Sequence, residues 1–211
     1  TCPNMNVWMP VLLGGLAAAI DELRAVAVYP FAAPFLRDAA RAQRARLARL
    51  LNVTPARGVL LAGPPGTGKT SLAAALAAES PLPVFFADAA SLRSKIVGES
   101  ERQLSALFAA ARGAAPAILV IDQLDLVARA RVGPDLSHGG VGDENDDGGG
   151  QGTSRRLTTL LLTELDGVLA GAGEPLVVVG VTARPDVVDP ALLRPGRLEL
   201  HVRLEAPDEA A

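Results

Sequence analysis

A layered α/β fold on a parallel sheet is predicted by three features of this 211-residue chain. Short, continuous apolar runs recur at 58–62, 84–87, 117–121 and 176–181, the pattern of strands buried on both faces. Helical patterns separate them, an alternation that calls for right-handed crossovers. The first run also empties into Gly63-Pro64-Pro65-Gly66-Thr67-Gly68-Lys69-Thr70, a glycine-rich turn followed by an alanine- and leucine-rich stretch.

Taken in order, residues 21–28 and 38–51 read as helices ahead of the first strand, the second with Arg41, Arg44, Arg46 and Arg49 spaced among Ala and Leu. The apolar segment 7–20 contains Pro10, Gly14 and Gly15, lacks a basic lead and stops at Asp21. It is too short and too broken to span a bilayer or to act as a signal peptide. A helix over 71–78 follows the glycine-rich turn, and 101–112 and 157–165 read as crossover helices. From 132 to 154 the composition shifts to Gly, Asp, Asn and Ser, which reads as a flexible surface insertion. Its acidic run, Asp143 to Asp147, lacks the spaced ligands of a calcium loop. His138 lies in that insertion and His201 alternates with apolar residues near a last probable strand; both read as structural or surface residues.

Composition narrows the function classes. A 49% hydrophobic chain of this length can bury a full core as one domain. The net charge of −3 provides no broad basic field, so DNA, RNA and acidic membranes are disfavoured as partners. Cys2 is the single cysteine, too few for an internal disulfide, and points to a reducing, intracellular and most simply cytoplasmic compartment.

The turn after the first strand carries the chemistry. Glycines at 63, 66 and 68 allow backbone conformations in which successive N–H groups face one anion, and the helix starting near Ser71 aims its positive end at the same place. Pro64, Pro65, Gly66, Thr67, Gly68 and Ser71 form the cradle. Lys69 reaches the β- and γ-phosphates, and the Thr70 hydroxyl is a hard oxygen ligand suited to Mg²⁺. Lys69 and Lys95 are the only lysines among 20 basic residues, so this ammonium stands out. Asp122, directly after the apolar run 117–121, is the matching metal-side carboxylate. The expected ligands are ATP or ADP with Mg²⁺.

Five ordered motifs then become specific. The phosphate loop, Lys95-Ile96-Val97-Gly98-Glu99-Ser100-Glu101, Thr163-Glu164-Leu165-Asp166-Gly167, Arg184-Pro185-Asp186 and the run from Asp189 to Arg197 resemble successive signatures of the AAA ATPases. The wording is most similar to ring-forming protein remodellers of the valosin-containing, ribosome-biogenesis and peroxisomal-import types. The resemblance implies a P-loop NTPase domain, three-layer αβα with a five-stranded parallel sheet, spanning 1–211 as one large AAA subdomain. Residues 1–57 would supply the adenine-pocket segment and flanking helices, with Leu13 and Gly14 lining the base pocket. It also implies a homo- or hetero-hexamer acting on a protein substrate or adaptor, with Arg194 and Arg197 as arginine fingers offered to the neighbouring subunit's γ-phosphate. Ile96 and Val97 match the central pore loop, with Ile96 where the family usually places an aromatic ring. Family members continue into a helical lid, absent from this chain, so the sequence reads as a fragment of a longer protein.

Two departures bear on turnover. The family follows its strand-end Asp with a Glu that polarises the attacking water, and this chain has Gln123. An amide can hold water but cannot take its proton, and general-base help contributes roughly 10²–10⁴ in rate. The polar residue expected before Arg184 is Ala183, whose methyl cannot orient water. Retained binding with weakened hydrolysis is the expectation; the alternative is a nucleotide-locked assembly module that supplies fingers to active neighbours. Restoring Gln123→Glu is the substitution expected to separate the two.

Overall fold

The computed structural model describes residues 56–92, 98–130, 151–170 and 175–205. Strand β1 (Gly58–Ala62) leads through the glycine-rich turn into helix α1 (Lys69–Glu79). Strand β2 (Val84–Asp88) runs into the short helix α2 (Ala89–Leu92), and helix α3 (Glu99–Gly113) precedes β3 (Ala117–Asp122). Helix α4 (Gln151–Ala170), β4 (Leu176–Thr182) and β5 (Leu200–Arg203) complete the described elements. All pairings are parallel, in the order β2-β3-β4-β1-β5. The expected five-stranded parallel sheet is therefore present.

The continuous apolar runs are explained by burial on two sides. Every residue of β1, β3 and β4 is buried, and successive side chains enter opposite cores. Leu60, Leu119, Ile121 and Val178 pack with Leu104 and Phe108 of α3 and Leu157, Leu161 and Leu165 of α4. Val59, Leu61, Val120, Val179 and Val181 pack with Leu72, Ala73 and Leu76 of α1. Each large aliphatic side chain so buried contributes about 1.5–3 kcal/mol, and the result is three layers, αβα.

The two helices on the first face are tied by more than apolar contact. Arg112 of α3 pairs with Glu164 of α4, Ser105 donates to the same carboxylate at 3.1 Å, and the guanidinium lies 5.7 Å from the Phe108 ring centroid.

Several boundaries differ from the sequence reading. Helix α4 begins at Gln151, so the last residues of the expected flexible insertion 132–154 are helical. Polar residues there look like loop, but Leu157, Leu161, Leu165 and Val168 anchor one face of the helix, and the preceding turn is continued through backbone bonding. Within it, the Thr158 hydroxyl donates to the carbonyls of Ser154, at 2.9 Å, and Val127, at 3.1 Å. Helix α1 starts at Lys69 rather than Ser71, because Gly68, at φ 81°, caps it. The expected helices at 21–28 and 38–51, Leu13, Gly14, Ile96, Val97, His138 and most of the 132–154 insertion lie outside the described residues. His201 is exposed on β5, its Nε2 2.9 Å from the Leu198 carbonyl oxygen.

Candidate nucleotide-binding site

The parallel sheet sends the ends of β1, β3 and β4 to one edge, where loops can carry chemistry on a rigid base. At β1 the turn makes two different demands on its glycines. Gly66 and Gly68 sit at φ 85° and 81°, torsions that L side chains rarely adopt. Gly63 is required by space instead: a Cβ there would lie 2.3 Å from the Leu204 carbonyl oxygen. The turn's crown, Pro64, Pro65 and Gly66, is exposed, as are Thr70 and Ser71, whereas Thr67 and Lys69 are buried.

Lys69 folds over its own loop. Its Nζ donates to the Pro64 carbonyl at 2.5 Å and lies 3.3 Å from Thr67 Oγ1, which itself donates to Pro64 at 3.0 Å. Desolvation lowers the ammonium's pKa from its ordinary value of 10.5, and the nearby Asp122 carboxylate opposes that shift. A cation held by neutral oxygens in a partly dry pocket is under-compensated, and an incoming polyanion supplies the missing charge.

From α1 the Thr70 hydroxyl donates to Asp122 Oδ2 at 2.8 Å, across 52 residues of chain. Asp122 is buried at the end of β3. Its other oxygen, Oδ1, accepts the Gln123 backbone N–H at 2.8 Å. Thr70 and Asp122 thus place hard oxygens side by side at the carboxyl edge of the sheet. Mg²⁺ fits such a pair, because it keeps several waters and phosphate oxygens and needs only one or two protein ligands. Among the described residues no group of three or more His, Cys, Asp or Glu side chains is arranged to hold a metal.

Gln123 occupies the next position in a left-handed conformation, φ 53° and ψ 43°, the one non-glycine residue with positive φ among those described. Its Nε2 donates to Asp88 Oδ1 at 3.2 Å. Beyond it, Asp125 is buried and takes three bonds: from Thr182 Oγ1 at 2.9 Å, and from Arg184 Nη2 at 2.7 Å and Nε at 3.2 Å. The Arg184 backbone N–H in turn donates to Thr182 Oγ1 at 3.0 Å. This network pins the end of β4, and with it Ala183, to the turn after β3.

Arg194 is exposed at the end of a short 3-10 turn over Pro190–Leu193. Arg197 is half-buried and engaged within the chain, by Asp166 and by the Ala191 carbonyl at 2.6 Å. Asp88 and the Asp125–Arg184 network were not singled out as site residues by sequence reasoning. For Asp88 a signal existed, since it ends an apolar strand just as Asp122 does. Arg184 stood in one of the five motifs, but its pairing with Asp125 had no signal, because that contact closes only when β3 and β4 lie side by side.

A phosphate-cradling turn at the end of one parallel strand and an oxygen pair joined to a second strand define a P-loop nucleotide-binding domain. Residues 59–206 match the family described as ATPase family associated with various cellular activities (AAA), and the chain belongs to that family. It is 40% identical over 209 residues to the cell division cycle protein 48 homolog of Archaeoglobus fulgidus, covering 99% of this chain and 24% of that protein. It is 40% identical over 199 residues to the ATPase family gene 2 protein of Schizosaccharomyces pombe, covering 94% and 21%. Against the ATP-dependent zinc metalloprotease FtsH 1 of Symbiobacterium thermophilum it is 42% identical over 193 residues, covering 90% and 28%. The chain therefore spans about a quarter of the length of these relatives. No helix among the described residues is long and apolar enough to cross a membrane.

Proposed function

We propose that this chain is the ATP-binding module of a ring-forming, protein-remodelling AAA ATPase in which hydrolysis is slow. The carrying observation is the 2.8 Å contact between Thr70 and Asp122, which joins the phosphate loop to a strand-end carboxylate. In this reading the turn from Gly63 to Thr70 takes the triphosphate, Lys69 turns from the Pro64 carbonyl to the β- and γ-phosphates, and Thr70 and Asp122 hold Mg²⁺. The bound cation would neutralise charge on the β- and γ-phosphate oxygens. Leu13 and Gly14 would line the adenine pocket, and Ile96 and Val97 a substrate-facing pore loop. Arg194 and Arg197 would be presented to a neighbouring subunit, where a guanidinium stabilises developing negative charge. The family relation and the divergent Gln123 and Ala183 together support binding retained with chemistry weakened.

Calorimetry of the native, full-length protein tests it: ATP uptake should require Mg²⁺ and be lost in Lys69→Ala. Equal ATP binding by the wild type and Lys69→Ala would overturn the reading. A second reading, a nucleotide-locked assembly module, is favoured by the same two residues, Gln123 and Ala183. It requires tightly held ATP with no turnover in the assembled state, so product phosphate measured over many hours separates the two.

A further inference from the structure

Two consecutive residues at the start of β1 hold the two halves of the Asp166–Arg197 pair, one half each. Arg57 Nη1 donates to the Val168 carbonyl at 2.7 Å, across 111 residues of chain. Val168 lies in the last turn of α4, which ends at Ala170, so its carbonyl is among those that no N–H of the helix can reach. A guanidinium there satisfies the orphan oxygen and suits the negative pole of the helix. Asp166 sits in the same turn, two residues earlier, so the turn that Arg57 caps is the one that aims this carboxylate. Arg57 is itself anchored, because its carbonyl accepts the Val178 N–H of β4 at 2.8 Å.

Gly58 admits the other half. A Cβ there would lie 1.8 Å from the Arg197 carbonyl oxygen and 3.0 Å from Leu198 Cα. Both are backbone atoms, so no rotamer change could make room, and the main chain of Arg197 rests directly on the first residue of β1. Its guanidinium is then gripped by Asp166 and by the Ala191 carbonyl. The side chain is thus fixed at its root by the close approach to Gly58 and at its head by a turn that Arg57 holds.

We propose that Arg57 is a positioning residue for Arg197 in its action on a neighbouring subunit: by capping α4 it keeps Asp166 in place, and Asp166 keeps the guanidinium directed outward from its own chain. The proposal rests on the reading of Arg197 as a finger and deepens it. Arg57 lies at the opposite end of β1 from the phosphate loop, so it acts through Asp166 and not on its own subunit's nucleotide. A free arginine samples many rotamers, and ordering it on contact weakens the interaction; a side chain ordered beforehand avoids that loss. The consequence is selective. A finger meets the γ-phosphate, which ATP carries and ADP lacks, so Arg57 should affect ATP alone.

The test uses the native, full-length protein in its assembled state, with affinities measured for ADP and for a non-hydrolysable ATP analogue. Arg197→Ala should weaken analogue binding about tenfold or more, the scale of a hydrogen bond to a charged group. Arg57→Ala should weaken it about fivefold and leave ADP within about twofold, since one supporting hydrogen bond is lost. Arg57→Lys, which still offers the carbonyl a donor, should restore most of the affinity. Arg57→Ala combined with Arg197→Ala should bind the analogue no more weakly than Arg197→Ala alone, because a residue that acts through another adds nothing once that other is gone. Equal losses for ADP and analogue in Arg57→Ala, or additive losses in the double variant, would make Arg57 merely structural and overturn the proposal. Should Arg57→Ala fail to fold, Arg57→Met, which keeps the stem and removes the donors, carries the same expectations. If Arg197→Ala binds the analogue as the wild type does, the finger reading falls together with the proposal. If Arg197→Ala loses affinity and Arg57→Ala does not, the proposal alone falls.

Discussion

Arg197 is held by Asp166 in a fork, Nε to Oδ1 at 2.7 Å and Nη2 to Oδ2 at 2.9 Å. The pair spans from α4 to the segment before β5 and fixes the direction of a guanidinium with a proposed role outside its own chain. Bidentate geometry limits rotation, so the side chain is pre-organised. Hydrogen bonding to Arg197 lowers the Asp166 pKa from its ordinary 3.8. A carboxylate whose folded value is depressed adds stability above its unfolded pKa and loses it as pH falls through the folded value. Asp166 is 54% exposed, so the pair contributes about 0–1 kcal/mol. The stability difference between wild type and Asp166→Asn should be constant near neutrality and vanish in strongly acid solution. Denaturant titrations from pH 7 to pH 2 check this; a difference that grows with acidity would contradict it.

Lys69 is expected to serve binding rather than folding. Burial lowers its pKa, so the fold tolerates the charge at a cost. Lys69→Met should therefore melt no lower than wild type without nucleotide, yet lose the thermal stabilisation that Mg·ATP confers on the wild type. Paired melting curves with and without Mg·ATP decide it. A strongly destabilised nucleotide-free Lys69→Met would make the lysine structural.

Asp125 should be the more sensitive half of its pair. Its side chain is 8% exposed against 51% for Arg184, so Arg184 can turn to water while a missing Asp125 strands the buried Thr182 hydroxyl. Asp125→Ala should cost about 1–3 kcal/mol and Arg184→Ala less. A double-mutant cycle in urea measures the coupling, which is absent if the network is incidental.

Phe108 reports on the α3–α4 layer. It is fully buried among Leu104, Leu157 and Leu161 and lies near the Arg112 guanidinium. Phe108→Ala should cost about 3–5 kcal/mol. Chemical denaturation measures it directly, and a cost under about 1 kcal/mol would mean that this layer repacks freely.

Much of the sheet is legible in the sequence. Four strands are apolar at nearly every position, because a parallel sheet covered on both faces leaves few polar positions. The phosphate loop was legible for a similar reason: an anion cradle needs glycine torsions and a lysine at fixed spacing, and both are local properties. Boundaries were less legible. The first turns of α4 have loop-like composition, and their helical state depends on the anchored Leu157 face further along the chain.

Residue types and spacing alone determined the layered α/β class, the glycine-rich phosphate loop and the strand-end Asp122, since each is written in neighbouring positions, and the family resemblance then marked Gln123 and Ala183 as departures. Only the tertiary structure decided that Gln123 faces Asp88, that Asp125 joins Thr182 to Arg184, and that Arg197 is gripped by Asp166. Those partners lie 35, 57, 59 and 31 residues apart. Hydrogen bonds act over about 3 Å, and no local pattern encodes which distant side chains the sheet order will bring that close.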